Sequence, residues 1–226
     1  MAKALIFDFD GTILDTETPW YEAFRALYAE HKVELTLEQY SQCIGTSLHL
    51  FNPYEYLITD CGIAIDRDVF RSRVHEKHAE LMKQETVRPG VISFLESAKA
   101  AGLRIGLASS SRLEWITPYL DKLELTSYFE CIQTADHVKL VKPDPSLYLQ
   151  TISILGIPAG DAIAIEDSPN GAKSAIAAGL HCVVLPNKIT QYLDFGNITQ
   201  HGQSLADISF EHLINDPSGF LAKPAV

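Results

Sequence analysis

Five short apolar runs, at residues 4–9, 104–109, 131–135, 162–165 and 182–185, stand out along the chain. They do not alternate with polar residues, which is the pattern of strands buried on both faces. Helical segments with clear punctuation separate the later runs. Asp144 predicts an N-cap with Pro145 at the first helical position, and Gly156 marks that helix's end. Ser168, Pro169 and Gly179 repeat the arrangement, and a further helix runs from Gly90 to Ala101, closed by Gly102. Pro118 predicts that the helix after Ser111 is kinked or starts late. Strands and helices alternating at this spacing imply a parallel sheet with right-handed crossovers, an α/β fold.

Residues 19–85 follow a different rule. Trp20, Ala23, Phe24, Leu27 and Tyr28 recur at helical spacing, Thr36 with Gln39 matches a capping box, and residues 68–82 read as a helix with a polar face. No buried strand is discernible there. The pattern predicts a helical insertion after the first strand, with hinges near residues 15–18 and 84–88. The expected division is a sheet domain at residues 1–16 and 88–226 and a helical domain at residues 17–87. Such insertions often act as lids over a site. The chain after Pro186 is weakly patterned.

Composition narrows the function. With 226 residues, 46% hydrophobic and 21% charged, the chain has ample length for a packed core. A formal net charge of -11 argues against nucleic acid or an anionic membrane as partner. A small anionic ligand stays open, because a local cation can invert the field at a site. No apolar run approaches the ~20 residues that span a bilayer. Lys3 alone before a run cut by Asp8 does not match a secretory signal. Cys43, Cys61, Cys131 and Cys182 lack CxxC spacing, so free thiols and a cytoplasmic location are expected.

Candidate chemistry collects where strands end. The first run terminates in Asp8 and Asp10, with Gly11 freeing the turn; the second leads into Ser109-Ser110-Ser111; the fourth leads into Glu166-Asp167; Lys142 stands just before Pro143-Asp144-Pro145. In a parallel sheet these ends share one edge. Two like charges at ~4 Å repel by roughly 4 kcal/mol at an effective dielectric of 20, so four acids there call for a cation. All-oxygen ligands suit Mg²⁺ better than zinc. Ser hydroxyls, backbone N–H groups and Lys142 are donors suited to a phosphate. Asp8 could then attack phosphorus, and Asp10 could protonate the leaving oxygen and activate water. Two residues along an extended chain point the same way, which would turn both carboxylates toward one site. A calcium loop is disfavoured, since Ile13 and Pro19 occupy its Gly and Glu positions. Lys142 is preferred to Lys139 for its place before the helix start. His75 and His78, three apart with no third ligand evident, read as a solvated helix face.

Asp8-Phe9-Asp10-Gly11-Thr12, Ser109, Lys142 before Pro143, and Glu166-Asp167 resemble, in order and spacing, the four motifs of the haloacid dehalogenase-like phosphohydrolases. The helical insertion resembles that superfamily's cap, in the group containing β-phosphoglucomutase and phosphoglycolate phosphatase. The resemblance implies a Rossmann-like parallel sheet core with a helical cap domain inserted after the first strand, and Mg²⁺-dependent phosphoryl transfer on a small phosphorylated metabolite. It assigns Asp8 as nucleophile, Asp10 as acid and base, and Ser109, Ser110 and Lys142 as phosphate-binding. Asp8, Asp10 through its main-chain carbonyl, and Asp167 would hold the metal, with Glu166 as ligand or support. Trp20 stands where β-phosphoglucomutase places a His in its first cap helix, and Leu48 where it has a sugar-phosphate-binding Arg. These departures favour a phosphatase over the alternative, a phosphosugar mutase. A dehalogenase would need neither Mg²⁺ nor a second acid like Asp10.

Overall fold

The computed structural model describes residues 1–44 and 51–220. A parallel sheet forms from β1 (Ala4–Phe7), β2 (Arg104–Ala108), β3 (Cys131–Gln133), β4 (Ala162–Glu166) and β5 (His181–Val184), in the order β3-β2-β1-β4-β5. β1 is central, with Phe7 opposite Leu107 on one side and Ile165 on the other. Its four residues are wholly buried, which is why the run tolerates no polar alternation. Strand order changes direction at β1, so the crevice beyond its carboxyl end is the natural ligand position.

Each expected run coincides with a strand to within a residue or two, with β1 stopping at Phe7 rather than residue 9 and β4 reaching Glu166. Asp8 N still bonds the Ile165 carbonyl at 3.0 Å, and then the Phe9 carbonyl accepts from Ile13 N at 2.9 Å. The chain thus curls into a turn through Gly11, whose φ of +83° is in the left-handed region. Asp8 and Asp10 therefore do not sit on one extended segment.

The flanking helices are α5 (Val91–Ala100), α6 (Leu113–Lys122), α7 (Ser146–Leu155), α8 (Pro169–Ala177) and α9 (Phe210–Asn215); α1 to α4 lie in the helical insertion and are described below. α5 and α7 pack on β2, and α8 on β4 and β5. α7 starts one residue later than expected. The Asp144 carboxylate accepts from Ser146 N at 3.0 Å, which leaves Pro145 at the cap. α6 does not start late: it begins at Leu113, two residues after Ser111, and carries Pro118 within it.

The weakly patterned chain after Pro186 does structural work. His201 N donates to the Val184 carbonyl (2.8 Å) and Val184 N donates to His201 Nδ1 (3.1 Å), closing the edge of β5 without a further strand. The Arg88 guanidinium donates to the carbonyls of Gly11, Leu185 (3.1 Å), Pro186 (3.3 Å) and Gln203 (2.5 Å). A five-donor fork of this kind satisfies backbone acceptors that would otherwise lose water.

The chain divides into two compact units: Met1–Leu14, Thr86–Asn187 and the chain from Asp194 onward in one, Asp15–Glu85 and Lys188–Leu193 in the other. The second unit holds α1 (Glu17–Glu30), α2 (Leu37–Ser41), α3 (Pro53–Glu55, continuing as a wider turn to Asp60) and α4 (Arg67–Met82). The Thr36–Gln39 capping box forms as expected. α1 packs on α4. Phe24, Tyr28, Leu57, Phe70 and Val74 fill the interior, and Ile189 joins them from the short returning segment.

The His75–His78 face is solvated only in part: His75 is exposed, as expected, but His78 is buried. His78 is 4% exposed and stacks on Trp20 with ring centroids 3.7 Å apart and planes 11° apart. His75 lies edge-on to the same indole at 5.1 Å and meets the Tyr54 hydroxyl at 3.3 Å. The polar spacing hid this because Trp20, fifty-odd residues earlier, supplies the covering surface. Burial, reinforced by neighbouring His75 and opposed by a bond to the Thr16 backbone, lowers the His78 pKa from 6.5 to about 4. Unfolded chain therefore binds this proton first as pH falls, so stability is lost between about pH 6.5 and 4. In His78→Phe that share of the acid destabilisation should disappear. Thermal unfolding of both proteins across this range measures it, and parallel pH curves would refute it.

Candidate active site

The register between β1 and β4 brings Asp8 beside Glu166, since Phe7 pairs with Ile165 and both strands run the same way. Asp8, Glu166 and Asp167 each place an oxygen within 4.8 Å of the others. All three are buried, Glu166 completely. Lys142 reaches in from the segment between β3 and α7, across a cis bond to Pro143. Its Nζ lies 2.5 Å from Asp8 Oδ1 and 2.7 Å from Glu166 Oε1. Lys139, by contrast, is exposed.

Three neighbours hold this cluster. Tyr148, on α7, donates its hydroxyl to Glu166 Oε1 at 2.5 Å, and its ring centre lies 5.1 Å from Lys142 Nζ. Asn187 donates to Asp167 Oδ2 at 2.9 Å. Gly171, on α8, lies so close that a Cβ there would fall 1.9 Å from Glu166 Oε2. Gly11 is constrained likewise: a Cβ would fall 2.1 Å from Asp167 Oδ2.

Burial pushes the Asp8 carboxyl up to about 7, opposed by Lys142 and assisted by Glu166 and Asp10. For Lys142, burial alone would favour the neutral amine, but Asp8 and Glu166 outweigh it and keep the group protonated. Burial raises Tyr148 well above the ordinary phenol range, so its hydroxyl stays a donor.

Asp10 faces elsewhere. Its Oδ2 accepts from Ser111 Oγ at 2.6 Å and, at 3.4 Å, from Ser109 Oγ; its Oδ1 accepts from the Trp115 indole N–H at 2.8 Å. Ser109 is buried at the end of β2, where its hydroxyl also accepts from Ser111 N at 3.0 Å. Ser110 is exposed. Trp20 lies in the helical unit against His78, and Leu48 falls outside the described residues.

Sequence reasoning missed Tyr148, Trp115, Asn187 and Gly171. Asn187 carried a signal, being the first polar residue after the last apolar run, at the same sheet edge as the others. Trp115 and Tyr148 sit on helices whose apolar periodicity absorbs them as packing residues.

The donor set fits a hard divalent cation. Three buried carboxylates converge while Lys142 bridges only Asp8 and Glu166, so one cation faces three anions. Oxygen-only donors of this type suit Mg²⁺ or Mn²⁺ rather than a soft metal.

With this geometry in hand, the relatives are informative. Residues 5–185 match the haloacid dehalogenase-like hydrolases, and the chain belongs to that family. It is 42% identical over 215 residues to YhcW of Bacillus subtilis (strain 168), a candidate phosphatase, covering 95% of this chain and 97% of that one. To the phosphorylated carbohydrates phosphatase of Thermotoga maritima it is 28% identical, covering 94% and 97%. Among solved structures, a candidate β-phosphoglucomutase from Thermotoga maritima superposes with a TM-score of 0.72 at 25% identity, over 98% of this chain and 100% of that one. A CbbY variant from Rhodobacter sphaeroides bound to xylulose-(1,5)bisphosphate gives 0.67 at 25%, over 92% and 96%. The family and its phosphatase members make this chain a phosphatase of the haloacid dehalogenase-like class.

Alanine at a helical glycine ordinarily stabilises by about 0.5–1 kcal/mol. Gly171→Ala should do the reverse, losing about 1–3 kcal/mol through the clash with Glu166 and lowering kcat at least about tenfold. Thermal unfolding and steady-state kinetics check both, and a stabilised, fully active variant would contradict the packing described.

Proposed function

We propose that the chain is a Mg²⁺-dependent phosphatase that hydrolyses a small phosphorylated sugar or related monoester through an aspartyl-phosphate on Asp8. The observation that carries this reading is the buried meeting of Asp8, Lys142, Glu166 and Asp167 at the carboxyl edge of the sheet. Asp8, Asp167 and the Asp10 main-chain carbonyl, with Glu166 beside them, would hold a Mg²⁺ ion, which would supply positive charge to Asp8 and to the phosphoryl oxygens.

An Asp8 carboxylate oxygen bonds to phosphorus as the bond to the leaving oxygen breaks. Asp10 gives its proton to that oxygen, then takes one from the water that cleaves the Asp8–phosphorus bond. Lys142, Ser109 and Ser110 donate to the phosphoryl oxygens. Glu166, held by Tyr148, fixes Lys142 in place. The family's phosphorylated-carbohydrate phosphatase and the bisphosphate bound to CbbY support a sugar phosphate as substrate class. The likeness to a candidate β-phosphoglucomutase keeps isomerase chemistry as the alternative. Trp20 in place of the mutase's first-cap-helix His, and Leu48 in place of its sugar-phosphate-binding Arg, support hydrolysis. A cytoplasmic enzyme fits the free thiols.

A panel of small phosphate esters, assayed with Mg²⁺ and with EDTA, tests the reading. Phosphate release should require the metal, and Asp8→Asn should lower kcat about a thousandfold or more in a protein that stays folded, with a lowered melting temperature because Lys142 loses one buried charged partner. Turnover that survives EDTA or the Asp8 change would refute it, and bisphosphate-dependent isomerisation without phosphate release would select the mutase.

A further inference from the structure

The indole of Trp115 is a donor with no acceptor capacity, and it is spent on one oxygen of Asp10. The ring itself is fixed from behind. Trp115 meets Tyr119 edge-on at 5.0 Å, one helical turn along α6, and Tyr119 lies 6.3 Å from Phe9, the buried residue between the two acids. The Asp10 carboxylate is thereby divided between two surroundings. Oδ1 faces the indole N–H; Oδ2 faces Ser111 at 2.6 Å and Ser109 at 3.4 Å. A proton on Oδ1 would point at a donor that cannot accept it. Oδ2 is the oxygen left to hand a proton on, and it lies on the side of the serines that end β2.

We propose that Trp115 is a positioning residue for phosphoryl transfer: its indole N–H locks the Asp10 carboxylate so that Oδ2 is presented toward the Ser109 side, where the leaving oxygen is protonated. This rests on the assignment of Asp10 as the acid and base. The covalent step is unchanged: the Asp8–phosphorus bond forms, the bond to the leaving oxygen breaks, and the proton passes from Asp10 to that oxygen. Trp115 exchanges no atoms and touches no substrate; it sets the direction of its neighbour.

A residue acting this way has a signature that general destabilisation lacks. Leaving groups that depart as stable anions need little proton transfer, and more basic ones need it fully. The measurement is kcat/KM of the Mg²⁺-loaded enzyme on p-nitrophenyl phosphate and on phenyl phosphate, aryl esters that differ by one para nitro group and strongly in leaving-group basicity. This quantity reports the first transfer and not the later attack by water. Trp115→Phe keeps a ring against Tyr119 and removes the donor. It should lower kcat/KM on phenyl phosphate about tenfold to a hundredfold, as expected for losing a hydrogen bond to a charged group, with a loss at least about fivefold smaller on p-nitrophenyl phosphate. Trp115→His can set its Nε2–H where the indole N–H was and should recover most of the phenyl phosphate activity. Melting temperatures report folding, and the histidine variant serves where phenylalanine is not tolerated. Equal losses on the two esters, or no recovery with histidine, overturn the proposal. Asp10→Asn separates the two levels. If it too shows no leaving-group dependence, the acid–base reading fails and takes the proposal with it. If it shows that dependence while Trp115→Phe does not, only the role of Trp115 falls.

Discussion

A single ammonium group set between two buried carboxylates organises the sheet unit. Lys142 bridges Asp8 and Glu166 where none of the three side chains is more than 8% exposed. Removing charge from water on this scale is unfavourable unless geometry and further hydrogen bonds compensate, and breaking one partner of such a set typically costs about 3–5 kcal/mol. The compensations are visible around it: the Tyr148 hydroxyl on Glu166, the Asn187 amide on Asp167, and the glycine on α8 that lets the helix approach. Even so, the cluster carries more negative than positive charge. That imbalance is structurally expensive, and a divalent ion among the three carboxylates would offset it.

The turn after β1 gives its two acids different surroundings. Asp8 continues the line of the strand into the charged cluster, while the curl through Phe9 and Gly11 carries Asp10 toward Ser111 and Trp115. Two carboxylates of the same type, two residues apart, thus acquire different partners. Separated environments are how one site obtains a nucleophile and a proton donor from chemically identical groups, and the proposed mechanism uses them so.

The helical unit follows another logic. Its interior is aromatic and aliphatic, and His78, buried against the Trp20 ring, is kept neutral by desolvation. A family member selective for a second phosphate would need a cation available in its insertion. The ring stack of Trp20 on His78 contributes apolar surface and an imidazole that burial keeps neutral. The short return of residues 188–193 into this unit means the two units are joined by more than the pair of hinges visible in the sequence.

The amino-acid order alone determined the strands, the central place of acids and serine at their ends, and the insertion of helices after the first strand. Those features are local: a strand buried on both faces must be apolar throughout, and helix ends must satisfy their own backbone groups. The family motifs were legible for the same reason, since each lies within a few residues of a strand end. Only the tertiary structure decided that Lys142 binds both Asp8 and Glu166, that Tyr148 and Asn187 steady the acids, that Trp115 holds Asp10, and that His78 is buried. The Lys142–Asp8 pair spans 134 positions, and the Trp115–Asp10 pair spans 105. Contacts of that reach are set by how sheet and helices pack, and no periodicity in a single chain records which distant side chain will arrive.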